Sequence, residues 1–178
     1  MSVRYGLLAL LAEAPTHGYG LKTAFEERTG GSWALNIGQV YSTLQRLERD
    51  GFVEAAPSGD ERHDYRITHI GRAQLETWFA TPVIPEGPPR DELTIKVLLA
   101  VAAGEVDLTA ILQRQRSASV AQLQAYTRRK AQADPERDVP FLILLDALIF
   151  KIEAEIRWLD ACDARIGQWP REQREAGR

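Results

Sequence analysis

The 178-residue sequence predicts a mostly α-helical fold with one small β-hairpin, divided between two domains. Three observations predict it. Apolar residues recur at three-and-four spacing along most of the chain, the signature of helices with one buried side. That period gives way to alternation only around residues 52–68, where FVEAAP and HDYRIT flank the turn SGDE. A proline-dense stretch at residues 81–90, TPVIPEGPPR, then separates this first part from a wholly helical remainder. The composition agrees, since 44% hydrophobic and 26% charged residues are typical of soluble globular chains.

The elements follow in order. Residues 2–13 carry Val3, Leu7, Leu10 and Leu11 at helical spacing, and Pro15 stops the run. Thr16 is a candidate cap for a second helix, HGYGLKTAFEERTG, with Leu21 and Phe25 turned inward and Gly30-Gly31 ending it. Asn36 is a good N-cap for a third, with Gln39 three residues later as in a capping box. Ile37, Val40, Leu44 and Leu47 supply its buried side, and Gly51 sits where a left-handed terminating residue belongs. In the hairpin, Tyr65 and Ile67 share a face. Thr68 then caps a fourth helix, HIGRAQLETWFA, closed by Pro82. Three helices, a hairpin and a further helix, in that order, spell a winged helix-turn-helix over residues 1–80. Residues 81–90 read as a linker, and 91–178 as an all-α domain.

This second domain begins with DELTIKVLLAVAAG, continues with a helix from about Leu108 to Gln132, and ends with one from Val139 to about Gln168. Leu142, Leu145, Ile149, Ile152, Ile156, Leu159, Asp163 and Ile166 form a heptad seam along the last helix. It could be a buried core helix of a monomer. The preferred reading is a dimerisation seam, because so few helices leave little else to cover it. Asp163 either fixes register or marks where the seam frays.

The third helix raises the functional question. Gln39, Ser42, Thr43 and Arg46 fall at i, i+3, i+4 and i+7, one stripe in which three of four groups are neutral hydrogen-bonding side chains. In the commonest use of this architecture that helix enters the DNA major groove. There Gln pairs with adenine, Arg with guanine, and hydroxyls with several partners. Lys22 and Arg49 are then candidates for phosphate contact, as are Arg62 and His63 near the hairpin tip, while Tyr41 is either a core aromatic whose hydroxyl reaches a phosphate or core alone. Charge argues the other way. The chain has a formal net charge of -3, and residues 1–80 hold 8 Lys/Arg against 10 Asp/Glu. Modest affinity with strong salt dependence is expected.

Other chemistries find little support. GYGLKT lacks the third glycine of a dinucleotide fingerprint and follows a helix, and the three histidines have no metal-site spacing. Cys162, the single cysteine, excludes an internal disulfide and reads as a small apolar residue. No catalytic residue, metal or cofactor is expected. No signal peptide is visible in SVRYGLLALLAEA, and VPFLILLDALIF is too short to span a bilayer, so a soluble cytoplasmic protein with no membrane partner is expected.

These motifs resemble PadR-type transcriptional regulators over nearly the full chain. LLALL followed by HGYGL is similar to the family's first helix junction, GQVYSTLQRLERDGFV to its recognition helix, and DYRITHIG to its wing-to-helix pattern. More loosely, DELTIKVLLA and EAEIRWLDA resemble the helical C-terminal domain of the longer subgroup. The resemblance implies a homodimeric repressor of inverted-repeat operators in double-stranded DNA, released in some members by a small aromatic or hydrophobic effector. It puts the DNA role on Gln39, Tyr41, Ser42, Arg46 and the hairpin around Arg62. The wing departs from the family, since DERHDY carries three acids where many relatives are basic. Trp33, Trp78 and Trp158 are candidate walls for an effector lodged between the two domains, although plain interface core is the preferred reading of them. The rival reading is a winged-helix adaptor that binds protein and does not read DNA.

Overall fold

A computed structural model describes residues 3–56, 63–103 and 106–168. The chain forms two compact units, Met1–Ile84 and Pro85–Arg178. In the first, α1 (Val3–Glu13), β1 (Thr16–His17), α2 (Gly18–Arg28), α3 (Ile37–Arg49), β2 (Val53–Ala56), β3 (Asp64–Ile67) and α4 (His69–Ala80) follow one another. This is a winged-helix architecture.

Helix α1 is the hub, touching α2, α3, α4 and β3. Its neighbours lie on several sides, so its buried surface is wider than a single stripe. Leu7, Leu8 and Leu11 are fully buried, whereas Leu10, expected inside, is only half-buried. Each buried leucine stabilises the unit by about 1.5–3 kcal/mol. Leu21 of α2, Val40, Leu44 and Leu47 of α3, Val53 and Ile67 of the wing, and Leu75 of α4 complete the core.

The sheet departs from the sequence expectation of a two-stranded hairpin. Its order is β1-β3-β2, with Thr16 opposite Tyr65 and Val53 opposite Ile67, both pairings antiparallel. Thr16 is thereby taken into the sheet, and the cap of α2 passes to His17, whose Nδ1 accepts from the Gly20 N–H at 3.0 Å. Asn36 does cap α3, but its side chain accepts from Gly38 N at 2.8 Å. The bond thus reaches two residues on, and the reciprocal Gln39 half of a capping box does not form among the described hydrogen bonds.

The end of α3, the start of the wing and the start of α4 meet at Thr68. Its hydroxyl donates to the Gly51 carbonyl (2.7 Å) and accepts from Gly71 N (3.1 Å), while its own N–H donates to the Phe52 carbonyl at 3.0 Å. Gly51 turns the chain with φ of 75°, a conformation that costs a β-carbon-bearing residue energy.

The second unit holds α5 (Glu92–Ala103), α6 (Leu108–Gln132) and α7 (Val139–Gln168). Asp91 and Asp107 cap α5 and α6 by accepting from Thr94 N and Ala110 N, each at 2.9 Å. Helices α6 and α7 form an antiparallel hairpin, because their partners run in opposite order. Arg116 pairs with Asp160 at 2.8 Å, Gln115 and Ser119 with Glu155 at 3.0 and 2.5 Å, and Lys130 with Asp146. Arg129 lies over the Phe141 ring at 5.1 Å. Val97, Leu112 and Leu159 join one helix to the next in a small core.

This hairpin corrects the reading of the heptad seam. Leu145, Ile152 and Leu159, spaced seven apart, are buried inside the chain's own unit, where α7 packs chiefly on α6. Leu142, Ile149 and Ile156 are half-buried, and Asp163 is exposed. The row at Leu145, Ile152 and Leu159 is therefore consumed internally and is not open to a second copy. The apolar residues that α7 does expose include Ile143 (66%) and Phe150 (65%), with Ile95, Leu98 and Leu99 exposed on α5.

The Thr68 junction is tight. A β-carbon on Gly71 would stand 2.1 Å from the Phe52 carbonyl oxygen, inside any tolerable contact. Gly71→Ala is therefore expected to lower stability by about 1–3 kcal/mol, measured by urea denaturation followed by circular dichroism.

Candidate nucleic-acid interface

Helix α3 presents Gln39, Ser42 and Arg46 on an exposed face. The helix itself engages several of their polar atoms. Ser42 Oγ and Thr43 Oγ1 both donate to the Gln39 carbonyl, at 3.1 and 2.7 Å, and Arg46 Nε donates to the Ser42 carbonyl at 3.2 Å. The Gln39 amide and the rest of the Arg46 guanidinium have no such partners among the described residues, and these groups suit bidentate contact with base edges.

Thr43 leaves the stripe. It is only 5% exposed, and its hydroxyl is spent on the backbone of its own helix, so it packs as core where the sequence reading put it among the base-reading residues. The pattern i, i+3, i+4, i+7 is wider than the exposed strip of a helix that is buried on two sides.

Tyr41 is 43% exposed and its ring lies on the start of α2. A β-carbon on Gly18 would meet Tyr41 Cε1 at 2.7 Å, so this glycine is what admits the ring. Tyr65 stands nearby in β3. Burial first, then Glu48 and Tyr41, push its phenol above the ordinary range, so it stays protonated at neutral pH.

The flanking cations differ in availability. Lys22 is paired with Glu26 at 2.8 Å, and Glu26 also accepts from Leu35 N at 3.0 Å. These bonds hold the Glu26 carboxyl below its usual range and tie α2 to the entry of α3, so Lys22 works as a structural link. Arg49 is exposed but bonded to Asp50 at 3.1 Å. His63 is exposed, and Arg62 lies outside the described residues. On the wing, Arg66 pairs with Glu54 at 2.8 Å across β2 and β3.

One group the sequence reading passed over joins this face. Arg4 of α1 lies beside α3, where a depression of about 290 Å³ is lined by Val3, Arg4, Gln39, Thr43, Arg46, Arg49 and Asp50. The only sequence signal was that Arg4 is the sole charge before Glu13 in an otherwise apolar helix.

The three candidate effector tryptophans have separate surroundings. Trp33 is exposed on the loop before α3. Trp78 stacks on Tyr5, with ring centroids 5.0 Å apart and planes 6° from parallel, which makes it part of the first unit's core. Trp158 lines a cavity of about 780 Å³ between α5 and α7, together with Val97, Leu98, Val101, Cys162 and Arg165. Among the described residues, no group of three or more His, Cys, Asp or Glu could hold a metal ion. No described helix is long and apolar enough to cross a membrane.

Comparison with known proteins matches both units. The model of the transcriptional regulator PadR-like family matches residues 7–77, and that of the virulence activator alpha C-terminal region matches 89–166. The negative transcriptional regulator PadR of Bacillus subtilis is 24% identical, covering 92% of this chain and 97% of its own. Crystal structures of Bacillus subtilis PadR share the fold. The complex with operator DNA has a TM-score of 0.68 at 19% identity, and the complex with p-coumaric acid 0.70 at 21%. Each covers 93% of this chain and 99% of that one. The Vibrio cholerae virulence activator AphA has a TM-score of 0.64 at 23% identity, covering 93% and 98%.

Burial pushes the Cys162 thiol above the ordinary cysteine range, against a smaller opposing effect of Arg165. Less thiolate is therefore present at any given pH than for a free cysteine. Alkylation by iodoacetamide at pH 8 is expected to run slower than for glutathione, with its rise displaced to higher pH; an equal or faster rate would mark a reactive thiol.

Proposed function

The chain belongs to the PadR-like family of transcriptional regulators, and we propose that it is a homodimeric repressor that reads an inverted-repeat duplex with α3. The relatives are regulators and not enzymes. The single observation that carries the DNA reading is the exposed face of Gln39, Ser42 and Arg46 on the third helix of a winged-helix unit, a surface of neutral and cationic donors. Its support from relatives is the operator-DNA complex of Bacillus subtilis PadR. The sign of regulation follows the name of the negative regulator, whose sequence is similar over 92% of this chain. In this reading residues 1–80 bind DNA, 81–90 link, and 91–178 dimerise, in the cytoplasm where the operator lies.

In this reading the dimer contact does not use the buried Leu145, Ile152 and Leu159. Ile143 and Phe150 of α7, with Ile95, Leu98 and Leu99 of α5, leave apolar surface in water that a second copy would cover, and pairing two reading helices matches a two-fold operator. An effector would occupy the α5–α7 cavity. Trp158 offers an aromatic wall there and Arg165 a cation, whereas Trp78 is already stacked on Tyr5. The p-coumaric acid complex of Bacillus subtilis PadR supports a ligand of this class. Release follows if the ligand favours a conformation whose two reading helices no longer match the operator spacing.

The test is fluorescence anisotropy with the duplex flanking the protein's own gene, at several salt concentrations. Arg46→Ala is expected to cost about 1–3 kcal/mol of operator binding and to relax the preference at one position. A wild type that binds all sequences alike and is indifferent to Arg46→Ala would favour the adaptor reading. In sedimentation, Phe150→Asp is expected to give a folded monomer. Ile152→Asp should instead unfold the helical unit, because its side chain is internal.

A further inference from the structure

Asp50, at the C-terminal end of α3, has one carboxylate and two arginines. Its Oδ2 is 3.3 Å from an Arg4 nitrogen, and its Oδ1 is 3.1 Å from Arg49 Nη2 and 3.2 Å from Arg49 Nε. The two arginines come from different helices, α1 and α3, and border the same depression as Gln39 and Arg46.

Arg4 is also held from the other side. Its guanidinium lies over the Phe52 ring at 4.7 Å, and its Nε is buried with no hydrogen-bond partner among the described residues. The buried Nε is closed to solvent, so the end of the guanidinium that faces Asp50 is the part an incoming anion could engage. Helix α3 does not need the Asp50 side chain. Its C-terminal end is closed by the Asp50 backbone N–H, which donates to the Arg46 carbonyl at 3.0 Å.

Arg4, Arg46 and Arg49 thus surround one hollow at the edge of the base-reading face, with Asp50 as the anion inside it. A phosphate group has the charge and acceptor geometry for the same guanidinium donors. Resting on the DNA reading above, we propose that Arg4 is a further DNA-backbone contact and that Asp50 competes with the phosphate for Arg4 and Arg49. Asp50 thereby weakens the sequence-independent part of binding while leaving base readout by Gln39 and Arg46 intact. In a domain with more acids than bases, it sets how loosely the protein holds non-operator DNA.

The experiment measures anisotropy with operator and scrambled duplexes across a salt series, for wild type, Arg4→Gln, Asp50→Asn and the double variant, with thermal melts of each. Arg4→Gln is expected to weaken both duplexes by the same factor and to lower the log–log salt slope by up to about 0.9, the full value of one phosphate being reached only without Asp50. Asp50→Asn should tighten both equally and steepen the slope by about 0.9 for each arginine that gains a phosphate. The loss on Arg4→Gln should be larger in the Asp50→Asn background. An unchanged slope in a folded Arg4→Gln protein overturns the proposal, as does a folded Asp50→Asn protein that binds no tighter. If Asp50→Asn does not fold, the slope of Arg4→Gln alone decides. A wild type that binds neither duplex overturns the DNA reading together with this inference, whereas binding that ignores Arg4 overturns the inference alone.

Discussion

The first unit depends on how one threonine distributes three hydrogen bonds. Thr68 gives its N–H to Phe52, gives its hydroxyl proton to Gly51, and accepts the N–H of Gly71, in the first turn of α4, on the same oxygen. These are the groups that would be left unsatisfied where α3 ends, the wing begins and α4 starts. Joining them at a single residue fixes the angle at which the chain leaves α3. The close approach of Gly71 to Phe52 follows, as does the placement of Phe52 under Arg4. The exposed face of α3 is thus oriented by residues that take no part in it.

Much of this was legible in the sequence, and the failures share a cause. The helices were readable because their apolar periods are strong and their caps are chemically distinctive, as at Asn36, Thr68 and the glycine at 51. What could not be read depends on partners distant along the chain. Thr16 has the chemistry of a cap, yet pairing with Tyr65 draws it into a sheet, and the adjacent histidine takes over. Thr43 lies within a polar pattern, but α3 is flanked on more than one side and the threonine falls inside. The row Leu145, Ile152 and Leu159 has the period of a seam between molecules. Nothing in the spacing says that the covering helix is α6 of the same chain. A period reports that a face is buried; it carries no record of what buries it.

The charges of the first unit show the same economy. Most of its cations are already paired: Lys22 with Glu26, Arg28 with Glu13, Arg66 with Glu54, and Arg4 and Arg49 with Asp50. The exposed pairs among these, Arg28 with Glu13 and Arg66 with Glu54, add little stability, typically below about 1 kcal/mol each. Their larger effect is on the surface potential, since a paired arginine projects less field than a free one. The reading face then works through directional donors at short range, chiefly Gln39 and Arg46, and this discriminates between bases better than bulk charge does.

The small strand at Thr16–His17 also has a bearing on the order of folding. Its partner in β3 lies nearly fifty residues further along, so this edge of the sheet closes a loop that contains α2, α3 and β2, although the cap of α2 is itself local. The α6–α7 hairpin, by contrast, is built from neighbours in sequence joined by a short turn. Contacts that span long loops carry the larger entropic barrier. The winged unit, although it precedes the helical hairpin along the chain, thus completes its sheet only with its own last third, whereas the helical hairpin closes on contacts between sequence neighbours.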